Sequence, residues 1–144
     1  MELPLYREYK YKFYLNAKHY IVINDKKGET HPHTWEIQIH FGIPRTVFIQ
    51  FTKIEKAIND CIDKYQDKVL NDHEPFDGLV PTVENMTDVF AKSIGEVVES
   101  FGGAFYSIEV AETPTRITRL SFGNRNTNES SIDSIIDEIV RKHG

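Results

Sequence analysis

A chain of 144 residues with 40% hydrophobic and 12% aromatic content has the size of one globular domain with a real core, expected to span residues 1–144. Its net charge of −5 and pI near 5.7 exclude a general basic field, so neither nucleic acid nor an anionic membrane is expected as a partner. A single cysteine rules out a disulfide framework, no apolar run is long enough to span a bilayer and the first residues lack a secretory apolar stretch, so the expected location is cytoplasmic.

The first predicted element runs from about Tyr6 to His19, where Tyr11, Phe13, Leu15 and Ala17 alternate with Lys12, Tyr14, Asn16 and Lys18. Period-two alternation is the mark of a half-buried strand, and His19 falls on its apolar parity. The polar stretch Asn24-Asp25-Lys26-Lys27-Gly28-Glu29 is a turn that returns the chain antiparallel. The second strand is Thr34 to Phe41, headed by His31-Pro32-His33, and its apolar parity (Trp35, Ile37, Ile39, Phe41) includes both histidines.

Thr52-Lys53-Ile54-Glu55 has the form of a capping box, and Ile54, Ile58, Cys61, Ile62 and Tyr65 follow at helical spacing. After Asn71-Asp72-His73-Glu74-Pro75, a second helix is expected from Pro81-Thr82 to Gly102-Gly103, with Met86, Val89, Phe90, Ile94, Val97 and Val98 inward. Phe105 to Glu112 returns to strand character, with Tyr106, Ile108, Val110 and Glu112 on one parity. A weaker strand around Arg116 to Phe122 and a terminal helix from Ser130, with Ile132, Ile135, Ile136, Ile139 and Val140 inward, complete a ββααββα order. This predicts an α+β domain: a four-stranded antiparallel sheet covered on one face by two helices, with a C-terminal helix added.

Three histidines, His19, His31 and His33, thus share a buried parity at neighbouring strand ends. Burying three imidazoles without a common partner costs several kcal/mol, whereas a zinc ion takes three and leaves the fourth position open, as catalytic zinc sites do. His40, of opposite parity, and His143, near the end, read as solvated, and Cys61 reads as a small core residue. Glu112 ends an apolar row, where it either pairs with Arg116 or Arg119 or accepts two parallel hydrogen bonds from a planar ligand edge. Asp72-His73 is a turn or a carboxylate-oriented proton relay.

Taken together, Leu15-Asn16-Ala17-Lys18-His19, His31-Pro32-His33, Leu70-Asn71-Asp72-His73, Pro81-Thr82-Val83-Glu84-Asn85 and Val110-Ala111-Glu112-Thr113 fall in the order and spacing of one family. Over roughly residues 5 to 122 the chain resembles the 6-pyruvoyltetrahydropterin and 6-carboxytetrahydropterin synthases. The resemblance implies the tunnelling fold, zinc on His19, His31 and His33, a pterin ring anchored by Glu112 with Thr113 beside it, and an Asp72-His73 proton relay. It also implies homo-oligomers, trimers or hexamers whose strands close into a barrel, and a place in queuosine- or folate-related biosynthesis. In two positions the chain departs from the family pattern. Pro32 replaces the glycine usually enclosed by the histidine pair, and Lys27 stands where a cysteine usually serves as base, which leaves Glu29 or Lys27 as the substitute.

The expected function is a zinc-dependent pterin-converting lyase acting on 7,8-dihydroneopterin triphosphate or a close relative, with Lys18, Lys26, Lys27 or Arg116 neutralising the phosphates. The alternatives are a non-catalytic zinc- and pterin-binding homologue and an aldolase-like cleavage of the pterin side chain that uses Glu29. A cupin-type metal barrel shares the His-x-His strand but has no place for two long helices.

Overall fold

The computed structural model describes residues 5–122. The expected C-terminal helix and His143 lie outside the described residues. In chain order the elements are β1 (Tyr6–His19), β2 (Val22–Ile23), β3 (Lys26–Lys27), β4 (His31–Pro44), α1 (Phe51–Asp63), α2 (Val83–Ser100), β5 (Ala104–Thr113) and β6 (Arg116–Ser121), with a single 3₁₀ turn at Leu70–Asp72 between the helices. The four long strands form one antiparallel sheet in the order β1-β4-β5-β6. The α+β architecture is the expected one.

Alternation dictates the main hairpin. Phe13, Leu15 and Ala17 of β1 and Trp35, Ile37, Ile39 and Phe41 of β4 are buried, and they meet in a register that runs from Tyr6 opposite Pro44 to His19 opposite His31. Between them, Asn24 and Asp25 both adopt positive φ (51° and 62°), the backbone of a tight two-residue hairpin turn, and so build the small β2–β3 ribbon. On the inner face, α2 packs across β5 and β6 while α1 packs on α2 and on β1. Ile54, Ile58 and Ile62 of α1 and Met86, Phe90, Ala91, Ile94 and Val98 of α2 are almost wholly buried. Each of the large side chains adds roughly 1.5–3 kcal/mol of burial.

Two local expectations are corrected. The capping box does not form: α1 begins at Phe51 with Gln50 at its N-cap and no side-chain cap, so Thr52 and Glu55 lie inside the helix. Its entry is set by packing instead, the Phe51 ring lying edge-on to Tyr9 at 5.3 Å. The second correction concerns Tyr106, which the alternation places in the core row. A β-bulge shifts the β4–β5 register between His40 and Phe41, so Phe41 faces Phe105 and His40 faces Ser107. Phe105 therefore takes the core position, and Tyr106 lies beside His40 with ring centroids 5.1 Å apart. Its ring occupies the space over Gly42, where any Cβ would collide with the Tyr106 hydroxyl.

The connection between the helices is tied back to β1. Asn16 N–H donates to Gln66 Oε1 (2.8 Å), Gln66 Nε2 donates to the Tyr14 carbonyl (2.8 Å), and Lys18 N–H donates to the Lys68 carbonyl (2.8 Å). One residue beyond His19, the buried Asn71 side chain grips Tyr20 from both sides, accepting from its N–H (3.0 Å) and donating to its C=O (2.9 Å). The edge of β1 is covered along this stretch. At the start of α2, Thr82 caps the N-terminus by accepting from Asn85 N–H (3.1 Å), and at its other end Gly102, at φ 83°, ends the helix in the left-handed conformation that glycine adopts freely.

Candidate metal centre

Three neighbouring strands converge on one point. His19 ends β1, His31 opens β4 directly opposite, and His33 follows two residues on, facing the same side. Glu112 comes from the next strand, β5, one residue past Ala111, which pairs with Glu36. One donor atom from each of the four side chains lies within 4.8 Å of every other, and among the described residues this is the one such group of His, Cys, Asp and Glu.

Hydrogen bonds outside the cluster fix which nitrogens face it. His19 Nδ1 lies 2.8 Å from the Pro81 carbonyl, and His31 Nδ1 lies 2.9 Å from the Glu29 carbonyl. A carbonyl oxygen only accepts, so both Nδ1 atoms carry the proton and both Nε2 atoms are left as lone pairs. Those two Nε2 atoms face each other at 2.9 Å. A proton shared between them would need a charged imidazolium in a place where burial lowers the His19 pKa from its usual value. Burial likewise lowers His33, with the neighbouring Glu112 opposing. The third nitrogen, His33 Nε2, is buried and lacks a hydrogen bond although Glu112 Oε1 lies 3.0 Å away. Two inward lone pairs, with a third ring nitrogen beside them that makes no hydrogen bond, are a set of donors for a Lewis-acidic cation, and the group fits a bound metal.

The floor under the rings is apolar. Trp35 is fully buried, with its ring 5.0 Å from His19 and 5.1 Å from His33. Beside the cluster opens a groove of about 410 Å³ lined by Tyr14, His33, Thr34, Glu36, Glu112 and Thr113 among others. A second groove, about 500 Å³, shares His33 and Thr34 and adds Asn16, Lys18 and Asp67. The Glu112 side chain is 10% exposed and has Arg116 Nη1 at 3.6 Å. Arg119 pairs instead with Glu109, at 3.7 Å.

The remaining candidates lie apart from this convergence. Lys27 is exposed on β3, with its ammonium 4.2 Å over the Tyr20 ring. Glu29 is exposed and joins the centre through its carbonyl oxygen, not its carboxylate. Asp72 is exposed at the end of the 3₁₀ turn and His73 is half-buried after it. His40 pairs with Glu8 at 2.6 Å at the other end of the sheet. Cys61 is half-buried, its thiol pushed up by burial and directed at the Ala57 carbonyl. Sequence reasoning missed Pro81 and Asn71, which act through a backbone carbonyl and a long-range amide clamp. The motif Pro81-Thr82 drew attention as a helix start, which is the one signal that could have found the carbonyl.

The profile of the 6-pyruvoyl tetrahydropterin synthase family matches residues 8–121. Comparison with curated protein sequences finds no significant match. Among solved structures, the 6-pyruvoyl tetrahydropterin synthase of Caenorhabditis elegans superposes with a TM-score of 0.70 at 16% identity, covering 84% of this chain and 98% of that one. The Plasmodium vivax 6-pyruvoyltetrahydropterin synthase, in a form with a catalytic glutamate replaced by alanine, gives 0.59 at 11% identity over 80% of this chain and 96% of that one. An uncharacterised Wolinella succinogenes protein gives 0.59 at 14% identity, covering 83% and 99%.

Proposed function

The chain belongs to the 6-pyruvoyl tetrahydropterin synthase family, and from that premise we propose that it is a zinc-dependent pterin-converting lyase acting on 7,8-dihydroneopterin triphosphate or a close relative. The observation that carries this reading is the convergence of three imidazole nitrogens, two of them held unprotonated by carbonyls on the far side of their rings, at the mouth of a groove that also contains Glu112. His19, His31 and His33 would hold the metal. Bound zinc supplies a Lewis acid that polarises side-chain hydroxyl oxygens.

The protein's own residues do the rest. Pro81 and Glu29 carbonyls hold two imidazoles in the tautomer that presents Nε2 inward. Glu112 accepts the paired N–H groups of a pterin edge, with Thr113 on the same groove wall. Lys18, which lines the groove shared with His33, and Arg116, beside Glu112, are placed to meet phosphate. The Asn71 clamp holds the Asp72-His73 turn at the His19 end of β1, which supports a proton relay there. A homo-oligomer, trimer or hexamer, belongs to the same proposal; β6 is an open edge among the described residues and carries Ile117 at 56% exposure. No described helix is long and apolar enough to cross a membrane.

The base is Glu29 in this reading. Its backbone is already bonded to the His31 ring, whereas Lys27 is engaged with Tyr20, and the Plasmodium vivax neighbour has a glutamate as a catalytic residue. That favours side-chain cleavage of the aldolase type as the second reading. Incubating the zinc-loaded protein with dihydroneopterin triphosphate and identifying the products decides the matter. A pyruvoyl or carboxy product supports the synthase, a 6-hydroxymethyl product the cleavage, and recovery of unreacted but bound substrate overturns both in favour of a binding protein. Glu29→Gln is expected to lower turnover at least 100-fold with zinc retained; full activity in that variant, with loss in Lys27→Ala, would assign the base to Lys27.

A further inference from the structure

A carboxylate used only to grip a ligand in the groove is expected to point into it. Glu112 lines the groove but does not face it alone: its Oε1 lies 3.0 Å from His33 Nε2 and 3.7 Å from His19 Nε2. Its side chain is 10% exposed, and the one cation beside it among the described residues, Arg116, stands off at 3.6 Å with 68% of its own side chain exposed. An ionised carboxylate pressed against two neutral imidazoles, with a loosely held guanidinium as counter-charge, is poorly compensated. A cation at the centre of the four donors compensates it. Ligands about 2.0–2.1 Å from a tetrahedral zinc stand roughly 3.3 Å from one another. Three of the six separations, 2.9 Å between His19 and His31, 3.0 Å between His33 and Glu112 and 3.7 Å between His19 and Glu112, bracket that value, and all six are within 4.8 Å.

We infer that Glu112 is the fourth protein ligand of the metal when the groove holds no pterin, and that a pterin ring draws the carboxylate off the metal and onto its own N–H edge. This rests on the pterin reading above. A metal held by four side chains is closed, like structural zinc sites, and one held by three is open, like catalytic ones. The exchange thus ties the opening of the site to arrival of the correct ring: the two parallel hydrogen bonds gained at the pterin edge offset the ligand lost by the metal. Idle protein is kept from activating water, and the same residue reports ring identity to the metal across the width of one side chain.

The test uses the full chain stripped of metal and reloaded with Co²⁺, whose visible spectrum follows ligand number and type. Glu112→Gln is expected to lower cobalt affinity tenfold or more, measured by competition with a chromophoric chelator, and to change the spectrum. Glu8→Gln, which alters the remote His40 pair, is expected to change neither. Equal affinity and an unchanged spectrum in Glu112→Gln would overturn the ligand role. The second arm uses pterin without a 6-substituent, which has no side-chain oxygen to offer the metal: a change of the cobalt-loaded wild-type spectrum toward that of Glu112→Gln reports release of the carboxylate, whereas a change in another direction reports ligation by the ring O4 or N5 and would overturn the exchange. Saturating binding of that pterin, followed by equilibrium dialysis, with the cobalt spectrum unmoved would overturn the exchange. Failure of any pterin to bind would sink the function proposed above while the affinity comparison still decides whether Glu112 is a ligand.

Discussion

The β1–β4 hairpin has a histidine near a glutamate at each end, and the two pairs differ in everything but composition. At one end His40 Nε2 meets Glu8 Oε1 at 2.6 Å with side chains 26% and 61% exposed. At the other, His33 Nε2 lies 3.0 Å from Glu112 Oε1 with side chains 18% and 10% exposed, and two more imidazoles share the space. The first pair satisfies itself with a direct hydrogen bond in water's reach. In the second, no hydrogen bond forms, and His33 Nε2 joins the facing Nε2 atoms of His19 and His31 in a set that fits a cation. Residue identity does not separate the two ends; burial and the carbonyls that fix the tautomers do.

The largest expected effect breaks this comparison at one end only. His33→Ala should lower zinc affinity at least 100-fold, because it removes a ligand and not merely an orienting group. His40→Ala should leave affinity unchanged. A folded state that binds metal is stabilised by about 2.7 kcal/mol when free metal is 100 times Kd. Chelation should therefore lower the thermal midpoint of the wild type and of His40→Ala by several degrees, and leave His33→Ala nearly unmoved. Retention of full zinc by His33→Ala would refute the centre.

The next effect belongs to the opposite end. Gly42→Ala forces a Cβ into the Tyr106 hydroxyl, so the ring must leave its place beside His40. Overpacking of this kind costs about 1–3 kcal/mol, seen as a lowered midpoint in denaturant, with zinc affinity unchanged. Coupled loss of zinc would mean that the two ends are not independent.

Period two made much of this legible. It placed His19, His31 and His33 on one face of a hairpin, and it placed Glu112 in line with Ile108 and Val110, both buried. It failed at Tyr106, because one extra residue in β5 inverts the alternation and a bulge leaves no mark in the local pattern. The apparent capping box failed for a related reason: Phe51 is drawn into the helix by ring packing on Tyr9, a contact between residues 42 apart in sequence. Neither the Pro81 carbonyl on His19 nor the Asn71 grip on Tyr20 could be read at all, since a backbone acceptor has no residue signature and the amide clamp spans 51 positions. The residues that converge at the centre were visible because strands put them in register; the groups that orient them were not, because tertiary contacts bring them in.

The smallest effect sharpens the comparison through acid. In metal-free protein, burial lowers the folded-state pKa of His19 and His33 below the usual 6.5. The unfolded chain then binds protons at these positions sooner than the folded one, so the slope of unfolding free energy against pH is positive there. The stability associated with their neutral rings is fully present above pH 6.5 and is lost as pH falls from 6.5 through the folded values. Replacing His33 by Gln removes one of the two titrating rings and should flatten that acid limb, whereas His40→Gln should leave the contribution of the buried rings in place. Denaturant titrations of chelator-treated protein between pH 7.5 and about 5 measure the slope. Because His33 keeps some exposure and Glu112 opposes its shift, the change in slope should be modest. An acid limb unchanged in His33→Gln but flattened in His40→Gln would reverse the roles assigned to the two pairs. With zinc bound, protons must compete with the metal for the same nitrogens, so the limb should move to lower pH in the wild type and stay where it is in His33→Gln.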